Sequence, residues 1–125
     1  MFDFIHRKAN WQLSETVIGK TTVFRGEISG QDKVTIYGMV EDEIDIINDV
    51  VIDKEGKVDG VLIANNAMIA GEFRGIAEVR LVFKLLETAH VQCDLKAYEI
   101  ITDKGAFFSG NFERHPDMNV AASEL

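Results

Sequence analysis

Six short segments of this 125-residue chain share one pattern: apolar, any, small or turn-forming, any, apolar. They are "FRGEI" (24–28), "VEDEI" (40–44), "VDGVL" (58–62), "FRGIA" (73–77), "VQCDL" (91–95) and "FSGNF" (108–112). Their central residues, Gly26, Asp42, Gly60, Gly75, Cys93 and Gly110, follow one another at 16, 18, 15, 18 and 17 positions. A near-constant period of this size marks a repeat architecture, in which each unit buries its apolar face only by stacking on its neighbours.

Within each unit the apolar residues recur at every second position. Val34, Ile36, Val40 and Ile44 do so in the second unit, and Phe83, Leu85, Val91 and Leu95 in the fifth. That is the period of a strand, not the 3.6 of a helix. Residues flanking the central column should point outward; ten of these twelve are polar or charged, and only Val61 and Ile76 are not. Turn signals such as "DKEG" (53–56) and "TDKG" (102–105) interrupt the strands. The pattern predicts an all-β, single-domain parallel β-helix: short strands of two to five residues, bent at glycines and stacked in about six rungs around a hydrophobic core. At ~3.3 Å per residue such a circuit forms a triangle of about 19 Å a side, and six rungs at ~4.8 Å make a rod of roughly 29 Å. Stacking would set Arg25 beside Glu41 and Asp59 beside Arg74, but also Glu27 beside Glu43.

Composition narrows the function. The chain is 46% apolar and 27% charged, as in a soluble globular protein. Its formal net charge of −8 argues against a nucleic-acid partner. One cysteine excludes an internal disulfide and suits a reducing, cytoplasmic setting. No apolar run approaches the roughly 18 residues that span a bilayer. Eight acids lie between residues 41 and 60, but without the ligand spacing of an EF-hand loop, so they read as a solvated face. His6 and His115 lie outside the repeat without metal-ligand spacing, and no phosphate-binding loop is present. No catalytic, cofactor or metal residues are assigned.

The one candidate nucleophile is Cys93, three residues after His90. In a strand such residues point to opposite faces, which defeats a nucleophile–base pair. Cys93 instead occupies a column where four of six entries are glycine. If those glycines serve a positive φ, Asp42 is a tolerable substitute and Cys93 is not. If they serve a lack of space, the reverse holds.

Three segments follow from this reading: residues 1–14, a β-helix over 15–113, and a tail over 114–125 expected to be disordered. Residues 1–14 carry Met1, Phe2, Phe4, Ile5 and Trp11 around a basic pair, Arg7 and Lys8. That mixture suits the interface of an anionic membrane, and equally a cap over the open first rung. The last rung carries Phe107, Phe108 and Phe112, an apolar end suited to stacking on another copy.

The segments "TVIGKTTVFRGEI" (16–28), "KVTIYGMVEDEI" (33–44), "GKVDGVL" (56–62), "AGEFRG" (70–75) and "GAFFSGNFE" (105–113), taken in order with this period, resemble the bactofilin family of bacterial cytoskeletal proteins. The resemblance implies a right-handed β-helix that polymerises end to end without nucleotide. It also implies attachment to the inner face of the cytoplasmic membrane through an N-terminal segment, which Met1 and Phe2 match. It implies a scaffold for cell-shape or cell-wall proteins, and an end phenylalanine needed for polymerisation, a role open to Phe107, Phe108 or Phe112. Asp42 and Cys93 depart from the expected glycines.

Two other classes compete. A left-handed hexapeptide-type acyltransferase would use His90 as general base, but it demands an apolar residue every six positions. Ile18, Phe24, Gly30, Ile36 and Asp42 lose that beat after two steps. A monomeric module presenting its acidic face to a basic partner would need both ends of the β-helix capped.

Overall fold

A computed structural model of the chain describes residues 15–114. The proposed N-terminal segment with Met1, Phe2, Phe4, Ile5, Arg7, Lys8 and Trp11 lies outside the described residues, as do His6, His115 and residues 115–125 of the tail.

The described chain is ten strands and no helix: β1 (Glu15–Ile18), β2 (Val23–Gly30), β3 (Lys33–Ile36), β4 (Met39–Ile46), β5 (Asp49–Ile52), β6 (Lys57–Ala64), β7 (Asn66–Ile69), β8 (Glu72–Leu85), β9 (His90–Thr102) and β10 (Phe107–Arg114). Every pairing is parallel, and each strand pairs with its counterpart one circuit later. The result is a β-solenoid of about six turns. Each rung is a four-residue strand, a turn, and an eight-residue strand whose midpoint is the central column. The expectation of separate pieces of two to five residues is corrected here. The long strand keeps its ladder through the midpoint, and β8 and β9 run on through the next corner to 14 and 13 residues.

The register reproduces the repeat column for column. Gly26 faces Asp42, Asp42 faces Gly60, Gly60 faces Gly75, Gly75 faces Cys93, and Cys93 faces Gly110. Inward columns fill the core. Val40, Val58, Phe73 and Val91 stack in one, Ile44, Leu62, Ala77 and Leu95 in a second, and Ile36, Ile52, Ile69 and Leu85 in a third. All are buried. None of the twelve residues flanking the central column is buried, Val61 and Ile76 included.

Turns close the rungs in two sizes. Wide turns follow β1 and β5, closed by Thr22 N–H donating to the Gly19 carbonyl at 3.0 Å and Gly56 N–H to the Asp53 carbonyl at 2.8 Å. Between them lies a narrow turn of Tyr37 and Gly38. A Cβ on Gly38 would stand 2.2 Å from the Gly19 carbonyl oxygen, so only glycine fits under the wide turn. Because the narrow turn steps back, Lys20 reaches across it to Glu55 two rungs on, an ion pair of 3.0 Å.

Candidate functional site

The central column answers the question posed by Cys93. Five of its six residues hold φ between +101 and +143°: Gly26, Asp42, Gly60, Gly75 and Gly110. Cys93 does not. The column has inward parity, and at ordinary extended φ the Cys93 side chain takes that direction and is 5% exposed. Asp42 keeps the positive φ, which turns its carboxylate out to solvent. Space matters too: a Cβ on Gly75 would lie 1.9 Å from the Gly60 carbonyl oxygen of the preceding rung. Both physical reasons operate at Gly60, Gly75 and Gly110; Cys93 avoids them by leaving the positive φ, whereas Asp42 keeps it.

As chemistry, Cys93 is inert. Its thiol is buried while His90 is exposed on the other side of the strand. Burial, with the neighbouring Asp94 carboxylate adding to it, pushes the thiol up from 9.0 to about 12, so almost no thiolate exists at neutral pH. His90 stacks instead on Phe107 of the next rung, ring centroids 4.6 Å apart.

The charge ladders follow the sequence in part. Arg25 donates to Glu41 at 2.8 Å. Asp59 and Arg74 are register partners but form no ion pair with each other. Glu27 does stand beside Glu43, and Asp45 joins them, the three carboxylates lying within 4.8 Å of one another. Sequence spacing within 41–60 could not find this trio, since Glu27 comes from the previous rung.

Strand pairing among the described residues stops at two ends. Among the described residues, β1 and β2 pair on one side only, as do β10 and the last residues of β9. Each such edge offers backbone N–H and C=O groups to a further strand. Among the described residues the core is only partly covered at both ends: Phe24 and Ile28 pack on it at the first rung, and Ile100, Ala106 and Phe108 at the sixth, all partly buried. The three predicted phenylalanines differ in placement. Phe108 and Phe112 continue inward columns, over Val91 and Leu95 respectively, and with no further rung among the described residues Phe112 is 41% exposed. Phe107 belongs to an outward column, over His90. Ile100 completes the apolar end and carries no repeat signal of its own, because it lies in the short strand outside the quoted pattern.

A parallel β-solenoid with a continuous aliphatic core and, among the described residues, apolar side chains at both ends of that core defines a class: the stacked-rung β-solenoids. Comparison with known proteins makes the class specific. Residues 16–113 match the family described as "Bactofilin: Polymer-forming cytoskeletal". The curated "Bactofilin BacO" of Myxococcus xanthus (strain DK1622) is 32% identical over 101 residues, spanning 81% of this chain and 80% of that protein. "Bactofilin BacP" of the same organism is 24% identical over 84% of this chain, which covers 44% of its length. Among solved structures, one described as "Cryo-EM reconstruction of Thermus thermophilus bactofilin double helical filaments" matches with a TM-score of 0.70 and 26% identity, over 80% of this chain and 99% of that one. The chain belongs to the bactofilin family.

Proposed function

We propose that this bactofilin is a non-enzymatic scaffold that polymerises end to end, without nucleotide, into filaments. Residues 1–14 hold those filaments at the inner face of the cytoplasmic membrane, where they organise cell-shape or cell-wall proteins. Assembly resides in the β-helix over 15–113. The observation that carries the reading is the pair of ends that are unpaired and apolar among the described residues. Phe108, Phe112 and Ile100 sit at the end of core columns beside an edge that, among the described residues, is free along β10. Adding a rung from another copy would bury this surface and satisfy the edge at once. A solved filament of a family member supports the same direction. Negative-stain electron microscopy of the purified protein without nucleotide tests it: filaments a few nanometres wide are expected. Phe108→Arg and Phe112→Arg should shorten or abolish them while the far-UV circular dichroism stays that of β-structure. Full polymers from both single variants and the double would refute this placement of the contact.

A further inference from the structure

The face made by the second halves of the long strands combines exposed aliphatic side chains with an excess of carboxylates. At its centre, in the third and fourth rungs, Val61, Ile63 and Ile76 stand together on outward columns. Ile76 is 55% exposed, the most exposed large aliphatic side chain among the described residues. Around this patch the same columns carry Glu27, Glu43 and Asp45 toward the first rung, and Glu78, Asp94 and Glu113 toward the sixth, against Lys96 alone. A depression of about 400 Å³ runs from Ile76 past Asp94 to Phe112. An aliphatic patch ringed by carboxylates fits a ligand that is apolar and basic. A second copy of the same face, or an anionic bilayer, would meet like charge and be repelled.

The chain itself carries such a ligand. Residues 1–14 contain Met1, Phe2, Phe4, Ile5, Trp11 and Leu13 with Arg7 and Lys8, and Asp3 is their only acid. Where they join the solenoid is fixed. Glu15 opens β1 and is the register partner of Lys33, which begins the short strand just after β2 ends at Gly30. Residues 1–14 therefore meet the solenoid at the corner that bounds this face. Fourteen residues extend to roughly 46 Å, whereas the patch lies two to three rungs away, about 10–15 Å.

We propose that residues 1–14 dock on this face of their own solenoid, their apolar side chains on Val61, Ile63 and Ile76 and their basic pair among the surrounding carboxylates. If those residues are also the lipid-binding segment, which rests on the functional reading above, docking withholds them from membrane, and release is the switch.

Trp11, the chain's only tryptophan, reports the segment directly in the full-length protein. Its emission should be blue-shifted, and less quenched by acrylamide, than that of a synthetic peptide of residues 1–14, with no dependence on protein concentration. Ile76→Asp, and separately Glu43→Lys with Asp94→Lys, should move both readouts to the peptide values with circular dichroism unchanged. Peptide-like emission in the unmutated protein overturns the proposal, as does a signal lost on dilution, which assigns the segment to a neighbouring copy. A shift caused by Val23→Asp on the first-rung edge, with both face variants silent, overturns it in favour of an end cap. Anionic phosphatidylglycerol vesicles separate the two readings. Ile76→Asp adds negative charge yet should raise co-sedimentation, because it frees the segment. Fluorescence shifts without vesicle binding by any variant leave docking standing and remove the membrane role.

Discussion

At the scale of the residue, the central column shows how one position can be read correctly and still be undetermined. The repeat placed Gly26, Asp42, Gly60, Gly75, Cys93 and Gly110 in one line, and the register puts them there. The backbone at the two exceptions was not legible, because a sequence pattern carries no φ. Asp42 holds φ at 101° with its side chain in solvent and nothing in the structure gained by it. A non-glycine residue in this region costs on the order of 1–3 kcal/mol, partly offset by the extra entropy glycine loses on folding. Asp42→Gly should therefore stabilise the fold by about 1 kcal/mol, seen as a raised midpoint in urea or heat. Cys93 carries a different prediction. Below pH 9.0 the thiol is neutral in folded and unfolded chains alike, and between there and about 12 only the unfolded chain ionises. Its contribution is thus present at neutral pH and lost as pH rises through that window. Comparing urea midpoints at about pH 8 and about pH 10.5, the protein should lose more stability than Cys93→Ala does. An identical loss in both would mean the thiol is open to solvent.

At the scale of the element, strand identity and facing were legible because period-two alternation survives in every rung. The lengths were not. Turn signals marked "DKEG" and "TDKG", yet nothing local announces that β8 and β9 pass through a corner without breaking their ladders. Corner lengths explain the uneven spacing of 16, 18 and 15: the 18 contains a wide turn, the 16 and the 15 a narrow one, and the 15 also a one-residue corner at Asn65. Position along the stack also decides what a glycine is worth. Gly26 and Gly75 share nearly the same φ, 135° and 134°. Their surroundings differ: a Cβ on Gly75 lies 1.9 Å from the Gly60 carbonyl oxygen, whereas on Gly26 it meets only the Phe24 ring at 3.8 Å. Gly26→Ala should cost about 1–2 kcal/mol, the φ penalty alone. Gly75→Ala adds a backbone collision and should cost 3 kcal/mol or more, or prevent folding. Chemical denaturation of both variants checks the ordering; equal losses would show that conformation, not space, governs the column.

At the scale of the whole molecule, the same geometry reaches past the first rung. In the stack, a Cβ on Gly60, Gly75 or Gly110 points to the carbonyl of the rung before, at 2.1, 1.9 and 1.8 Å. Gly26 has no rung before it among the described residues, so its Cβ direction leaves the molecule through the free edge of β2. A copy stacked on that edge would supply the missing carbonyl, and the tolerance seen inside one chain would end there. Gly26→Val should therefore leave a folded solenoid, destabilised by a few kcal/mol at most, that no longer forms long filaments. The far end keeps Phe108, Phe112 and Ile100, so the size of what remains reports polarity. If like ends meet, the sixth-rung contact survives and the variant is a dimer; if unlike ends meet, every contact needs the blocked edge and the variant is a monomer. Light scattering with gel filtration distinguishes these, and full-length filaments from Gly26→Val would mean that assembly does not use the first-rung edge. The apolar character of the last rung was legible from sequence in Phe108 and Phe112. Which backbone atom closes the contact was not, since it depends on a direction in space that only the stacked rungs define.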